Sequence, residues 1–218
     1  NDADLDQAVK MCVQGRIYNN GETCVAAKRF IVEAGIYDEF KEAFVEKMKA
    51  VKFGDPTGDE AKIGPMARKD LREKLHDQVE ESVKKGAKVL CGGEVPDQKG
   101  YFYPATVLEN LEPGMPAYDD ELFGPVASLI NAEDEEEAFH IANASKFGLG
   151  GGIFTKDEEK AFVLAKKHFD TGMININGYG LAQPNLPFGG VKESGYGREH
   201  GGFGMREFVN IKCIMINS

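Results

Sequence analysis

Tyr37-Asp-Glu-Phe-Lys-Glu-Ala-Phe-Val-Glu-Lys-Met-Lys-Ala-Val51 repeats Tyr37, Phe40, Phe44, Val45, Met48 and Val51 at the spacing that lines one face of a helix. Just ahead of it, Arg29-Phe-Ile-Val-Glu33 is a short β-prone run, so the two together read as a strand feeding a helix. The loop Gly54-Asp-Pro-Thr-Gly58 stops the helix. Working outward, Asp2-Ala-Asp4 puts carboxylates at the positive end of a further helix, with Leu5, Ala8, Val9 and Cys12 or Val13 on one face and an end near Gly15. Downstream, residues 69–85 form an amphipathic helix closed by Gly86, and Lys88–Cys91 is a short strand broken by Gly92 and Gly93. Residues 101–108 read as extended, 113–120 as loop or one helical turn, and 126–132 as a strand. A helix over 133–144 with an acidic first turn, a strand at 152–155, a helix at 157–169 and a strand at 173–177 follow. Strands alternating with helices imply βαβ units. The expected fold is therefore α/β, an open, mostly parallel sheet with helices on both faces.

Two stretches depart from that rhythm. Gly148–Gly152 looks like a phosphate-cradling loop, but such a loop follows a strand and opens a helix, whereas this run leads into the strand at 152–155. Residues 178–204, rich in Gly, Pro and aromatics and without period, are long for a structureless loop and are expected to line a site. The tail Phe208-Val-Asn-Ile-Lys-Cys-Ile-Met-Ile216 is β-prone and apolar, and is expected to be a strand paired with another subunit.

A chain of 218 residues with 42% hydrophobic and 28% charged residues buries a sizeable core. The net charge of -10 argues against a nucleic-acid surface, and no apolar run reaches membrane-spanning length. With no signal-peptide pattern at the start, a cytoplasmic location is expected. Cys12, Cys24, Cys91 and Cys213 form no C-x-x-C pair, and the four histidines are equally scattered, so neither a metal site nor a disulfide framework is indicated. The chain opens on Asn1 without an initiator Met and reads as part of a longer protein.

Cys24 is the reactive-group candidate. It lies between the Gly21 turn and the strand at 29–33, among the small residues Val25, Ala26 and Ala27, with Lys28 and Arg29 adding positive charge. On spacing alone a single cysteine reads as structural. The surrounding motifs reverse that. Asn19-Asn-Gly-Glu-Thr-Cys24, Glu121-Leu-Phe-Gly-Pro125 and Pro187-Phe-Gly-Gly-Val-Lys-Glu-Ser-Gly-Tyr-Gly-Arg-Glu199 resemble, in order and spacing, the aldehyde dehydrogenase superfamily.

The resemblance implies a catalytic domain over 1–207 and an oligomerisation strand over 208–218, with the N-terminal cofactor-binding part and the general-base glutamate outside this sequence. It implies NAD or NADP as cofactor, a small aldehyde as substrate and a homo-oligomer, dimer or tetramer, as the intact form. It makes Cys24 the nucleophile that forms a thiohemiacetal and then a thioester. Glu121 becomes the carboxylate that binds the nicotinamide ribose, and Phe123 a ring beside it; on the residues alone these read as a surface carboxylate and a core aromatic. Phe188 would line the substrate tunnel or anchor its loop. Tyr18, six residues before Cys24, lines the aldehyde pocket or packs in the core.

The runs Cys24–Val32, Gly64–Arg68 and Met173–Gly178 look most like the bacterial succinate-semialdehyde dehydrogenase branch. Better-known members of that function place an arginine where Tyr18 stands and a serine near Ala182 or Gln183, so a distal carboxylate is held elsewhere or the substrate is a neutral aldehyde. A competing reading makes the chain a stand-alone, non-catalytic or thiol-reactive module that supplies an oligomer interface. A cysteine hydrolase is a third, but no spacing pairs His200 with Cys24.

Overall fold

Side-chain caps begin three of the six α-helices in the computed structural model, which describes every residue except Leu181 and Ser218. Helix α1 (Leu5–Ile17) starts at Asp4, whose carboxylate accepts from the Gln7 N–H at 3.0 Å. A 3-10 turn, Tyr18–Gly21, leads toward strand β1 (Arg29–Glu33), and α2 (Tyr37–Lys49) follows. Next come α3 (Lys69–Lys84), β2 (Lys88–Cys91), β3 (Thr106–Glu109), the single turn α4 (Pro116–Asp119) and β4 (Val126–Ala132). Helix α5 (Glu135–Asn143) begins two residues later than its acidic run, because Asp134 turns its carboxylate onto the Glu137 N–H as the cap. Then follow β5 (Phe147–Gly148), β6 (Gly150–Ile153), α6 (Glu158–His168), β7 (Met173–Ile176) and β8 (Val191–Lys192).

The main sheet has the order β1-β4-β3-β2, parallel across β1–β4 and β3–β4 and antiparallel at β2–β3. Along β4, Val126 and Ile130 face one core while Ala127 and Leu129 face the other. The first core gathers Leu75 and Val79 of α3 and Ile141 of α5. The second gathers Val9 of α1 and Phe40, Phe44 and Met48 of α2 around Phe30 and Val32. Helices thus cover both faces, as the α/β pattern requires.

Two expectations are corrected. The strand expected over 101–108 is reduced to Thr106–Glu109, since Pro104 has no N–H to give a ladder. The glycine run does not precede a strand at 152–155; Gly150–Ile153 is itself the strand, paired in parallel with β7 as a sheet separate from the main one. The tail strand was expected to pair with another subunit, and within the single chain its described residues form none. Gly204–Phe208 is a 3-10 turn, and residues 209–217 carry neither helix nor strand and are exposed, with Ile216 at 92%. An extended run becomes a strand only when an edge accepts its backbone, and among the described residues no edge of this chain does so.

Candidate active site

Cys24 sits at the second position of a turn closed by the Ala26 N–H donating to the Thr23 carbonyl at 3.1 Å, and its thiol is exposed. Among the described residues the Cys24 backbone N–H has no hydrogen-bond partner, so it is a free donor beside the sulfur. The turn is held from several sides. Ala27 N–H donates to Gly15 O at 3.0 Å, tying it back to α1. Asn20 Nδ2 donates to Pro65 O at 3.0 Å and its Oδ1 accepts from Gly64 N–H at 2.9 Å. Both Glu22 carboxylate oxygens accept from Ala67 N–H at 3.1 Å.

Asn19 and Asn20 take left-handed backbone at φ 49° and 57°, a conformation asparagine tolerates. Gly21, at φ +74°, has a second constraint: a Cβ there would collide with the Gly124 carbonyl. That close approach brings the Glu121–Pro125 loop against the Cys24 turn.

Cys24 and Glu121 line one cavity of about 1080 Å³, and Lys28 reaches across to pair with Glu121 Oε1 at 2.9 Å. Burial pulls the Lys28 ammonium below its ordinary value, while its hydrogen bond to Glu121 holds it up. Behind the turn, Arg16 is fully buried and donates from Nη2 to Gly21 O at 3.0 Å. Its Nε and Nη1 have no partner among the described residues, and burial lowers its pKa to about 9 against the charges of Glu121 and Tyr179.

Of the expected residues, Cys24 and Glu121 share the cavity wall. Tyr18 is half exposed and packs its ring 5.9 Å from Tyr179, which lines the cavity. Phe123 is half-buried beside the buried Leu122 and does not line the cavity. Phe188 does not line the cavity; it is paired through its backbone with Glu199 at 2.9 and 2.7 Å and its ring lies 6.1 Å from the His200 ring.

The whole length of the chain bears on what this arrangement is, because residues 1–214 match the sequence pattern of the Aldehyde dehydrogenase family. The chain belongs to that family. It is 48% identical over 218 residues to a succinate-semialdehyde dehydrogenase [NADP(+)] of Mycobacterium avium, covering 99% of this chain and 46% of that protein. It is 50% identical over 214 residues to a succinate semialdehyde dehydrogenase [NAD(P)+] of Escherichia coli, covering 98% and 46%. A structure of succinic semialdehyde dehydrogenase from Streptococcus pyogenes with NADP+ superposes at a TM-score of 0.95 with 40% identity, over 100% of this chain and 48% of that one. Betaine aldehyde dehydrogenase from Staphylococcus aureus with NAD+ gives 0.91 and 33%, over 95% and 42%. The chain therefore spans about half the length of the curated relatives it matches.

Within this aldehyde dehydrogenase fold, sequence reasoning missed Arg16 and Tyr179. Arg16 had a signal: it extends the buried face of Val9 and Cys12 or Val13 by one more turn, where a charged residue is out of place. Tyr179 had none, since its stretch carries no period.

Proposed function

We propose that this chain is the nucleophile-bearing part of an NAD(P)-dependent aldehyde dehydrogenase, with succinate semialdehyde as the substrate. The observation that carries the reading is an exposed thiol on a turn anchored from several sides, sharing a cavity with the Glu121 carboxylate. The substrate assignment leans on the names of the relatives.

Cys24 gives up its proton and its sulfur adds to the aldehyde carbon, leaving an alkoxide that the unpartnered Cys24 N–H stabilises. A nicotinamide dinucleotide supplies the two-electron acceptor when bound. The chain's residues fit such a group: Lys28 occupies Glu121 Oε1, and the 37%-exposed side chain leaves its other oxygen to accept from a ribose diol. Cys24 then carries the acyl group as a thioester, and water releases the acid and restores the thiol. Asp120 is held by Lys146 at 2.9 Å and Glu121 by Lys28, and the family resemblance assigns the base that activates water to a glutamate outside this sequence. The exposed apolar run from Phe208 to Ile216 supports assembly as a homo-oligomer.

The test is a longer polypeptide carrying this sequence, assayed for aldehyde-dependent NAD(P)H formation. Turnover is expected with succinate semialdehyde, and Cys24→Ser is expected to lower it by roughly 10³-fold or more. A folded, dinucleotide-binding protein that forms no NAD(P)H, or one in which Cys24→Ser stays active, defeats the reading.

A further inference from the structure

Asp119, Asp120 and Glu121 set three carboxylates in a row along the cavity, and each is met from a different part of the chain. Asp119 Oδ2 accepts from the Gly114 N–H at 2.6 Å, Asp120 Oδ1 pairs with Lys146 at 2.9 Å, and Glu121 Oε1 pairs with Lys28 at 2.9 Å. Of these partners Lys28 alone belongs to the segment that carries Cys24, four residues further on. Its pair is also the more enclosed of the two lysine pairs. The Lys28 and Glu121 side chains are 21% and 37% exposed, against 43% and 44% for Lys146 and Asp120. A pair shielded in this way is less screened by salt than one on open surface.

Both main chains are fixed without the ion pair. The Lys28 carbonyl accepts from the Ser128 N–H at 2.9 Å, where β1 meets β4. The Glu121 carbonyl accepts from Gln78 Nε2 of α3 at 3.4 Å, and a Cβ at Gly124 would collide with Leu75 of the same helix. Gly124 also meets Gly21, so the Glu121 loop and the Cys24 turn are fastened to each other independently of Lys28. What stays free is the Glu121 side chain, whose three rotatable bonds can carry its carboxylate over several staggered positions. Among the described residues Lys28 is the one cation paired with that carboxylate, and Oε2 has no partner.

We infer that Lys28 is a positioning residue: its ammonium selects the Glu121 orientation that presents Oε2 to the ribose diol of a bound nicotinamide dinucleotide. The inference deepens the dehydrogenase reading and rests on it. A carboxylate held in advance does not have to be ordered when the ribose arrives, and ordering a side chain of this length weakens binding by roughly tenfold.

The test uses a longer polypeptide carrying this sequence and measures NAD(P)+ binding by isothermal titration without aldehyde, beside steady-state kinetics. Lys28→Met is expected to raise both the dissociation constant and the KM for dinucleotide by roughly tenfold, while kcat stays within about twofold. Lys28→Arg keeps the charge and is expected to recover most of that loss. In a Glu121→Ala background Lys28→Met is expected to change the dissociation constant by less than about twofold, because the group it orients is gone. Should Lys28→Met not fold, Lys28→Gln takes its place and is expected to weaken binding by roughly threefold or more.

Binding that is unchanged or tightened when Lys28 is replaced overturns the inference, as does an equal loss in the Glu121→Ala background. A fall in kcat with the dissociation constant unmoved also overturns it. A folded longer polypeptide that binds no dinucleotide defeats the dehydrogenase reading and this inference together, whereas binding indifferent to Lys28 defeats the inference alone. Cys24→Ser is expected to remove turnover and leave the dissociation constant, and its dependence on Lys28, as they were, so the nucleophile and the positioning residue are read apart.

Discussion

The first two-thirds of the chain and its last forty residues are built on opposite terms. Around β4, both faces of the sheet are covered and residues such as Val107, Val126 and Leu129 are fully buried. From Gly178 onward short bridges hold a largely exposed path, ending in Met205, Phe208, Ile211 and Ile214, which are each 78% exposed or more. Apolar residues are plentiful in both regions. What differs is whether a partner surface lies within the same chain, and that decides whether an apolar pattern becomes stability or an interface.

Phe44→Ala should sharpen the contrast most. The ring has no exposed surface and stacks against Phe30 and Phe40 at 4.9 and 5.3 Å, so its loss is expected to cost about 3–5 kcal/mol in urea unfolding. Gly21→Ala comes next, at about 2–3 kcal/mol, because the new methyl group meets left-handed backbone and the Gly124 carbonyl together. Slower iodoacetamide labelling of Cys24 in that variant would show that the two loops move as one.

Cysteine reactivity provides a smaller, pH-resolved reading. Burial raises the Cys12 thiol from an ordinary 9.0 to about 12. A raised folded-state value means that its contribution to stability is full below about pH 9 and is lost as pH rises from there toward 12. At pH 8 iodoacetamide is expected to modify the exposed Cys24 and Cys213 and to spare Cys12, as peptide mass mapping would show. Substitution of the tail should have the smallest effect: Ile214→Ser is expected to change the stability of the isolated chain by less than about 0.5 kcal/mol. A large loss there would mean that the tail packs on its own chain, and the contrast between the regions would fail.

The same contrast explains what the sequence disclosed. β1, β2 and β4 end at the residues their patterns indicate, and α2 and α3 stop within two residues of the expected ends, because each carries its own period against a local core. The Cys24 turn was legible through its motif rather than its spacing. The tail forms no strand within the single chain because β-propensity states what a segment accepts, not whether an edge is present to accept it. Glu121 was read as a ribose ligand, and its pairing with Lys28 went unforeseen: the two are 93 residues apart in number and meet only through folding. Arg16 was legible only as a charged residue on the buried face of its helix, and its bond to Gly21 O appears only in the fold.

The Asn20 and Glu22 tethers carry a consequence for natural variation. They fasten Gly64, Pro65 and Ala67 to the residues just ahead of the thiol, across 45 positions of sequence for the Asn20–Pro65 bond. Under the proposed role of Cys24, that distant loop helps set the aim of the sulfur, and drift there would retune reactivity while Asn19–Cys24 stayed intact.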